Sequence, residues 1–472
     1  MTDILDLDAT GQLAELAAGR ISAVELLKLS MARRDETHAR LNAVVVTDPE
    51  GGLRQAKAID AARSKGEAPG PLAGLPMTLK DTMDVAGMPA SAGLAALRER
   101  TCEDAVTVGR ARAAGAVIWG KTNVPVMAGD WQSYNDLYGA SNNPWDVSRT
   151  TGGSSGGAAS ALATGITALE IGSDIGGSLR VPANFCGVYS HKPSWGAVSQ
   201  TGHVPPRPGT RAQRDLNVVG PMARSARDLK LLFSVIADAP APAQAPSSLR
   251  GLKVGLWLDE PLYPLDPQVR RVIEAYAGQL AAAGVIVEKI ASPMDAGRLA
   301  RAYSTLLGSV IATDMTPEAR AQMETMRPMA LAAGPDSSMA LILAYTATHA
   351  EWLEADEARA QIRDQALAAA ARFDLILAPV SPVAAFPHDH QPFQERELKL
   401  STGDMIPYTS MLNWIALATA CGLPATCVPA GLTAEGLPVG VQLIGPPGAD
   451  ARTLAAAEAF EAVRGFARPP AG

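Results

Sequence analysis

Four cysteines in 472 residues, Cys102, Cys186, Cys421 and Cys427, are too few and too scattered for a disulfide framework, and no C-x-x-C spacing suggests a redox or zinc site. The reading is buried free thiols in a reducing compartment. No run approaches the roughly 18 apolar residues that would span a bilayer. The first residues, MTDILDLD, lack the basic and apolar regions of a secretion signal, so a cytoplasmic protein is expected. Charge of one sign is also scarce. Lys and Arg number 41 against 48 Asp and Glu, a net −7 without blocks, which argues against nucleic acid or an anionic membrane as partner. Histidine is sparse as well. None of the six, His38, His191, His203, His349, His388 and His390, stands where it marks a catalytic base.

What is abundant is glycine (43), proline (35) and apolar side chains (47%), the composition of a globular chain with a sizeable core. Ser22 to Glu25 (SAVE) is a capping box opening a helix to about residue 40. Strands read at 41–47, 77–81, 116–119, 168–172, 187–193, 253–258, 285–290, 373–379, 424–430 and 438–445. Helices read at 49–65, 101–115, 266–283 and 452–464, and 293–372 reads as almost wholly helical. This alternation predicts an α/β fold. Residues 237–248 (ADAPAPAQAPSS) read as the one linker. Six of the 15 methionines fall within 294–339. They are ordinary helical core, or an adaptable apolar cover over a binding mouth.

Several motifs compete for the chemistry. Gly115–Thr122 (GAVIWGKT) matches a P-loop by letter, but its variable positions read as a strand and no helix follows. Gly152–Gly156 (GGSSG) matches G-x-S-x-G, yet no downstream His completes a triad. His388 and His390 in a Pro-rich loop read as solvated rather than metal-bound. No S-x-x-K occurs.

A lysine base used differently remains. Lys80 lies in a short apolar strand, where loss of water would lower its pKa, unless it reaches out to solvent from an edge. Ser154 opens a helix of roughly ten residues, about 15 Å long, and the strand after it covers a similar length back. Ser178 can therefore come back beside Ser154. The turn Asp174–Ser178 (DIGGS) is an ordinary tight turn, or one whose N–H groups cradle an oxyanion.

These residues together resemble the amidase signature family. The resemblance is carried by Gly74–Asp81 (GLPMTLKD), Trp119–Pro125 (WGKTNVP), Asn142–Gly157, Gly172–Ala183 (GSDIGGSLRVPA), Cys186–Gly196, Val219–Ser225, and a C-terminal run from Gly422 to Gly445. It spans essentially the whole chain. It implies a single α/β/α domain over 1–472 with a central mixed sheet, a signature core at about 70–230 and the Met-rich helical cover at about 293–345.

The resemblance implies Ser178 as nucleophile, Ser154 as bridging serine on a cis Gly153–Ser154 peptide, and Lys80 as general base. The amides of Ile175, Gly176, Gly177 and Ser178 would form the oxyanion hole. Met127 and Ala128 would lie near the acyl pocket, and Asp174 and Arg180 would brace the turn. No metal or cofactor is implied. The expected substrates are small amides, bulky or aryl, with carbamates and esters as further classes. The methionines, with Trp352 and Trp414, tilt the reading that way. The alternative is the glutaminase subunit of a tRNA-dependent amidotransferase. A homodimer is one expected assembly. Two departures from the family's usual pattern, Tyr189–His191 before Lys192 and Val126 after TNVP, sit near the site.

Overall fold

A computed structural model describes residues 3–67, 70–239, 248–335, 337 and 339–470. The linker expected at 237–248 falls mostly on 240–247, outside the described residues.

Eight strands form the central sheet. In spatial order they are Ile286–Ile290, Lys253–Trp257, Leu375–Pro379, Pro438–Ile444, Ala425–Leu432, Tyr189–Lys192, Val218–Ala223 and Leu169–Asp174. The first three run parallel to one another and the remaining pairings are antiparallel, so the sheet is mixed. The strand Leu375–Pro379 shows why helices cover both faces. Successive side chains of a strand point to opposite sides. Leu375 and Leu377 join one apolar cluster, with Leu229, Leu232, Ile273 and Leu454. Ile376 and Ala378 join the other, with Leu299, Tyr303, Leu306 and Trp414. Burial on both faces is why these strands read as near-continuous apolar runs.

A second, three-stranded sheet, in the order Val44–Thr47, Val117–Thr122, Pro76–Lys80, packs its last strand against Leu169–Asp174. That crossing brings the lysine strand to the glycine-rich segment. The helix from Ala23 to Leu41 starts at the capping box as expected, with both Ser22 and Glu25 bonds made.

Several boundaries differ from the sequence reading. The helix at 101–115 shortens to Val106–Ala113. The one after Ser154 is Gly156–Ala163. Residues 293–372 do fold as helices, in four pieces: Ala296–Ala312, Pro317–Ala333, Ala340–Tyr345 and His349–Ala370. The helix Ala226–Ile236, capped by Ser225, and the short helix Arg180–Cys186 were not foreseen.

Candidate active site

Lys80 ends the strand Pro76–Lys80 and is completely buried. Its Nζ lies 2.7 Å from Ser154 Oγ and 2.8 Å from Ser173 Oγ, with Ser173 O at 3.5 Å. Among the described residues it has no carboxylate within salt-bridge distance. Burial dominates and pulls its pKa from 10.5 down to about 7, against the opposing pull of Asp174 and then Glu170. Beneath it, Glu170 accepts from the Thr78 hydroxyl, and burial pushes this carboxyl up to about 8. A fully buried amine that loses its proton near pH 7 is thus hydrogen-bonded to a serine hydroxyl.

Ser154 follows a cis Gly153–Ser154 peptide and is also buried. Glycine is required at 153 by close approach, since a Cβ there would come within 2.4 Å of the Asp130 carbonyl oxygen. Ser178 lies in the adjoining segment, where its carbonyl accepts from the Ser155 N–H at 3.2 Å. Its side chain is 6% exposed, and its hydroxyl has no hydrogen-bond partner among the described residues. The structure therefore joins Lys80 to Ser154 directly and sets Ser178 beside them without closing the last hydrogen bond.

The turn that carries Ser178 is held from within. The Asp174 carboxylate accepts from the amides of Gly177 (2.8 Å) and Leu179 (3.1 Å) and from Arg180 Nε and Nη2. Arg180 spends its other donors on Ile415 O, Gln442 and Thr419. Burial pushes the Asp174 pKa up, but the guanidinium and the amides outweigh it and hold the carboxyl at about 2. Gly177 has φ +91°, a left-handed conformation open to glycine, which lets the chain double back toward Asp174. The four amides expected to face an oxyanion thus narrow to three. Gly177 is committed to Asp174, whereas Ile175, Gly176 and Ser178 donate to nothing among the described residues.

Met127 and Ala128 occupy a tight loop, both with positive φ (52° and 56°), anchored by Met127 N–H to Ala92 O at 2.7 Å. Two successive non-glycine residues in this region are unusual and mark a constrained loop. Trp414 is fully buried against Trp257 and Tyr263 and belongs to the core, which corrects its use as a hint of an aromatic pocket. Trp352 lines a cleft of about 550 Å³ with Trp195, Asp215 and Arg359, and Ser178 is not among that cleft's residues. Lys121, the P-loop-like lysine, is consumed by Asp81 at 3.0 Å and by the carbonyls of Met83 and Pro89. His191 is tied to Thr426 and Asp450.

Sequence reasoning missed two contacts on the same turn. Trp131 Nε1 donates to Gly176 O at 2.7 Å, and the Tyr303 hydroxyl donates to Ile175 O at 2.6 Å. Neither carries a local signal, because the partners lie 45 and 128 positions apart in the chain.

Comparison with known proteins identifies the family. The amidase family profile matches residues 25–454. The chain is 32% identical to a glutamyl-tRNA(Gln) amidotransferase subunit of Chloroflexus aurantiacus, over 98% of this chain and 97% of that protein. Among solved structures, a bacterial aryl acylamidase of the amidase signature family superposes with TM-score 0.81 at 26% identity, covering 97% of this chain and 96% of the other. The peptide amidase of Stenotrophomonas maltophilia superposes with TM-score 0.77 at 27% identity, each chain covered to 98%. The chain belongs to the amidase family and is a hydrolase of the amidase signature type.

Proposed function

We propose that this protein hydrolyses the C–N bond of small neutral amides through an acyl-enzyme on Ser178. The observation that carries the reading is the buried Lys80 amine, its pKa lowered to about 7, 2.7 Å from Ser154 Oγ. A lysine in this state is a base matched to neutral pH.

In the proposed cycle Lys80 Nζ takes the Ser154 proton while Ser154 Oγ takes the proton of Ser178. Ser178 Oγ forms a bond to the substrate carbonyl carbon, and the carbonyl electron pair moves onto oxygen. The amides of Ile175, Gly176 and Ser178 receive that charge. One such donor is worth about 3–4 kcal/mol in comparable sites. As the tetrahedral species collapses, the C–N bond breaks and the relay returns a proton to the leaving nitrogen. Water then attacks the acyl carbon and gives its proton to the relay; the bond from that carbon to Ser178 Oγ breaks, the acid leaves, and Ser178 Oγ takes a proton back. Closure of the Ser154–Ser178 hydrogen bond belongs to the substrate complex, since catalytic hydrogen bonds tighten on binding.

Apolar side chains pack on the turn: Leu412 lies 3.6 Å from a Cβ placed on Gly176, an ordinary contact, and Ile415 packs on Gly177. This favours bulky or aryl amides, and aryl carbamates and esters with good leaving groups as further substrates.

A second reading is glutamine hydrolysis feeding a tRNA-dependent amidotransferase, favoured by the 32% identity to one of that enzyme's subunits. That role calls for a cation to meet the substrate carboxylate. Arg180 is saturated by protein groups. Arg396, next to the Trp131 segment, is held by Asp130, Tyr134 and the Gln391 carbonyl. Both observations support a neutral substrate. A panel of anilides, aliphatic amides, aryl carbamates and glutamine, assayed on the purified chain alone, tests the choice. Anilide turnover above glutamine turnover is expected, and the reverse order overturns it.

A further inference from the structure

The turn Asp174–Ser178 presents three planar peptides in a row, and each has its carbonyl fixed by a different part of the chain. In a trans peptide the C=O and the following N–H point in opposite directions, so fixing one aims the other. The Ile175 carbonyl is held by the Tyr303 hydroxyl at 2.6 Å, which turns the Gly176 N–H to the opposite side. The Gly176 carbonyl is held by Trp131 Nε1 at 2.7 Å, and the other end of that peptide, the Gly177 N–H, is held by Asp174 at 2.8 Å. The Gly177 carbonyl accepts from the Val181 N–H at 2.7 Å, at the start of the helix Arg180–Cys186, which turns the Ser178 N–H the other way. The middle peptide is thus closed at both ends. The peptides on either side are fixed at their oxygens and open at their nitrogens.

Two glycines in succession would otherwise leave this turn free to rotate, because glycine populates both signs of φ. A peptide flip would replace a donor facing the substrate by a carbonyl oxygen. A neighbouring Cβ does not prevent it at Gly176, where the nearest atoms to one stand at 3.6 and 4.0 Å. The side-chain hydrogen bonds must do so.

We propose that Tyr303 is a positioning residue for catalysis: its hydroxyl, reaching in from the helix Ala296–Ala312, locks the Ile175–Gly176 peptide so that the Gly176 amide faces the developing oxyanion, with Trp131 locking the next peptide. Helical spacing brings it there, since Leu299, Tyr303 and Leu306 share the buried face of that helix. Burial first, then the Asp174 charge, raises the Tyr303 pKa, so the hydroxyl remains a donor across the working pH range. The consequence reaches beyond one bond. The turn is held in part by the helix Ala296–Ala312, outside the segment that carries Lys80, Ser154 and Ser178.

The inference rests on Ser178 being the nucleophile, and the experiment separates the two. Tyr303→Phe removes one oxygen and keeps the ring; Trp131→Phe and Ser178→Ala are made alongside in the full chain. The readouts are kcat and KM on an anilide, the inhibition constant of an aryl boronic acid, which forms a tetrahedral anionic adduct, and the melting temperature. Tyr303→Phe is expected to lower kcat about tenfold to a hundredfold, below the loss for deleting a donor outright, with KM little changed. The boronate should weaken by the same factor while the melting temperature moves by a few degrees at most. If kcat and boronate affinity stay within about twofold of the parent, or if KM rises while boronate affinity is kept, Tyr303 does not position the oxyanion site. If Ser178→Ala retains activity, the nucleophile assignment fails instead. Tyr303→Phe alone decides the matter should Trp131→Phe not fold.

Discussion

Residues 150–192 and residues 314–348 are both rich in small and apolar side chains, yet they are built on opposite terms. In the first segment nearly every residue is buried, polar ones included. Thr150, Ser155, Asp174, Arg180, His191 and Lys192 all have almost no exposure. In the second, the helix Pro317–Ala333 buries only Ala330 and the helix Ala340–Tyr345 only Ala344. Met329 is 64% exposed and Leu331 is 55% exposed. A buried polar group without a partner is costly, so most polar groups of the first segment are hydrogen-bonded, and the Ser178 hydroxyl and the amides of Ile175, Gly176 and Ser178 stand out among the described residues as exceptions. The second has little to lose from rearrangement. The difference teaches where the molecule keeps fixed geometry and where it can tolerate change.

The largest effects should come from the first segment and the lysine that meets it. Ser178→Ala and Lys80→Met are each expected to cut kcat by about 10⁴-fold or more, as when members of a catalytic unit are removed singly. Steady-state kinetics beside an unchanged circular dichroism spectrum checks this, and a loss under tenfold for either would break the contrast. Asp174→Asn comes next. It strips Arg180 of its charge partner in a fully buried site and should cost about 3–5 kcal/mol by denaturant unfolding.

The same pair sets an acid limit. The Asp174 pKa is depressed from 3.8 to about 2, so the stability it contributes is present above 3.8 and is lost as pH falls from 3.8 through 2. The gap between the unfolding free energies of the parent and Asp174→Asn should therefore narrow as pH falls through about 2, and parallel curves would contradict the assignment. Ser154→Ala is expected to lower kcat by about 10²–10⁴-fold, the span of a positioned proton-transfer group. Met329→Gln, at the far end of the scale, should change stability by less than about 0.5 kcal/mol and leave kcat unaltered. A Met329 effect comparable to that of Ser154 would erase the comparison.

Much of this was legible in the sequence because strand and helix geometry acts locally. The glycines around Ser154 and Ser178 mark close approaches, and the apolar run around Lys80 marks a buried strand. The chain length between the serines suffices to bring them together. The family motifs added the cis Gly153–Ser154 peptide, which is present. What escaped was long-range or ambiguous. Nothing around Tyr303 distinguishes a helix residue packed on apolar neighbours from one whose hydroxyl reaches a distant carbonyl. The capture of the Gly177 amide by Asp174 depends on a left-handed turn that the letters DIGGS permit without specifying. The helix Arg180–Cys186 was hidden by Pro182, which a first helical turn tolerates. The methionines of 294–339 do not act as one group either. Met294 is buried in the core whereas Met329 stands in solvent, and composition alone cannot separate them.

The central claim is that a neutral buried lysine drives acylation of Ser178. Its most direct test is the rate and site of labelling by an aryl fluorophosphonate from about pH 5 to pH 9, read by intact mass and peptide mapping. Lys80 loses its proton near pH 7, so the active form is scarce below that point and saturates above it. The account predicts a single adduct on Ser178, with a rate rising toward tenfold per pH unit on the acid side and levelling above about 7. An adduct on another residue, or a rate that falls from pH 6 to 9 while the protein stays folded, would contradict it.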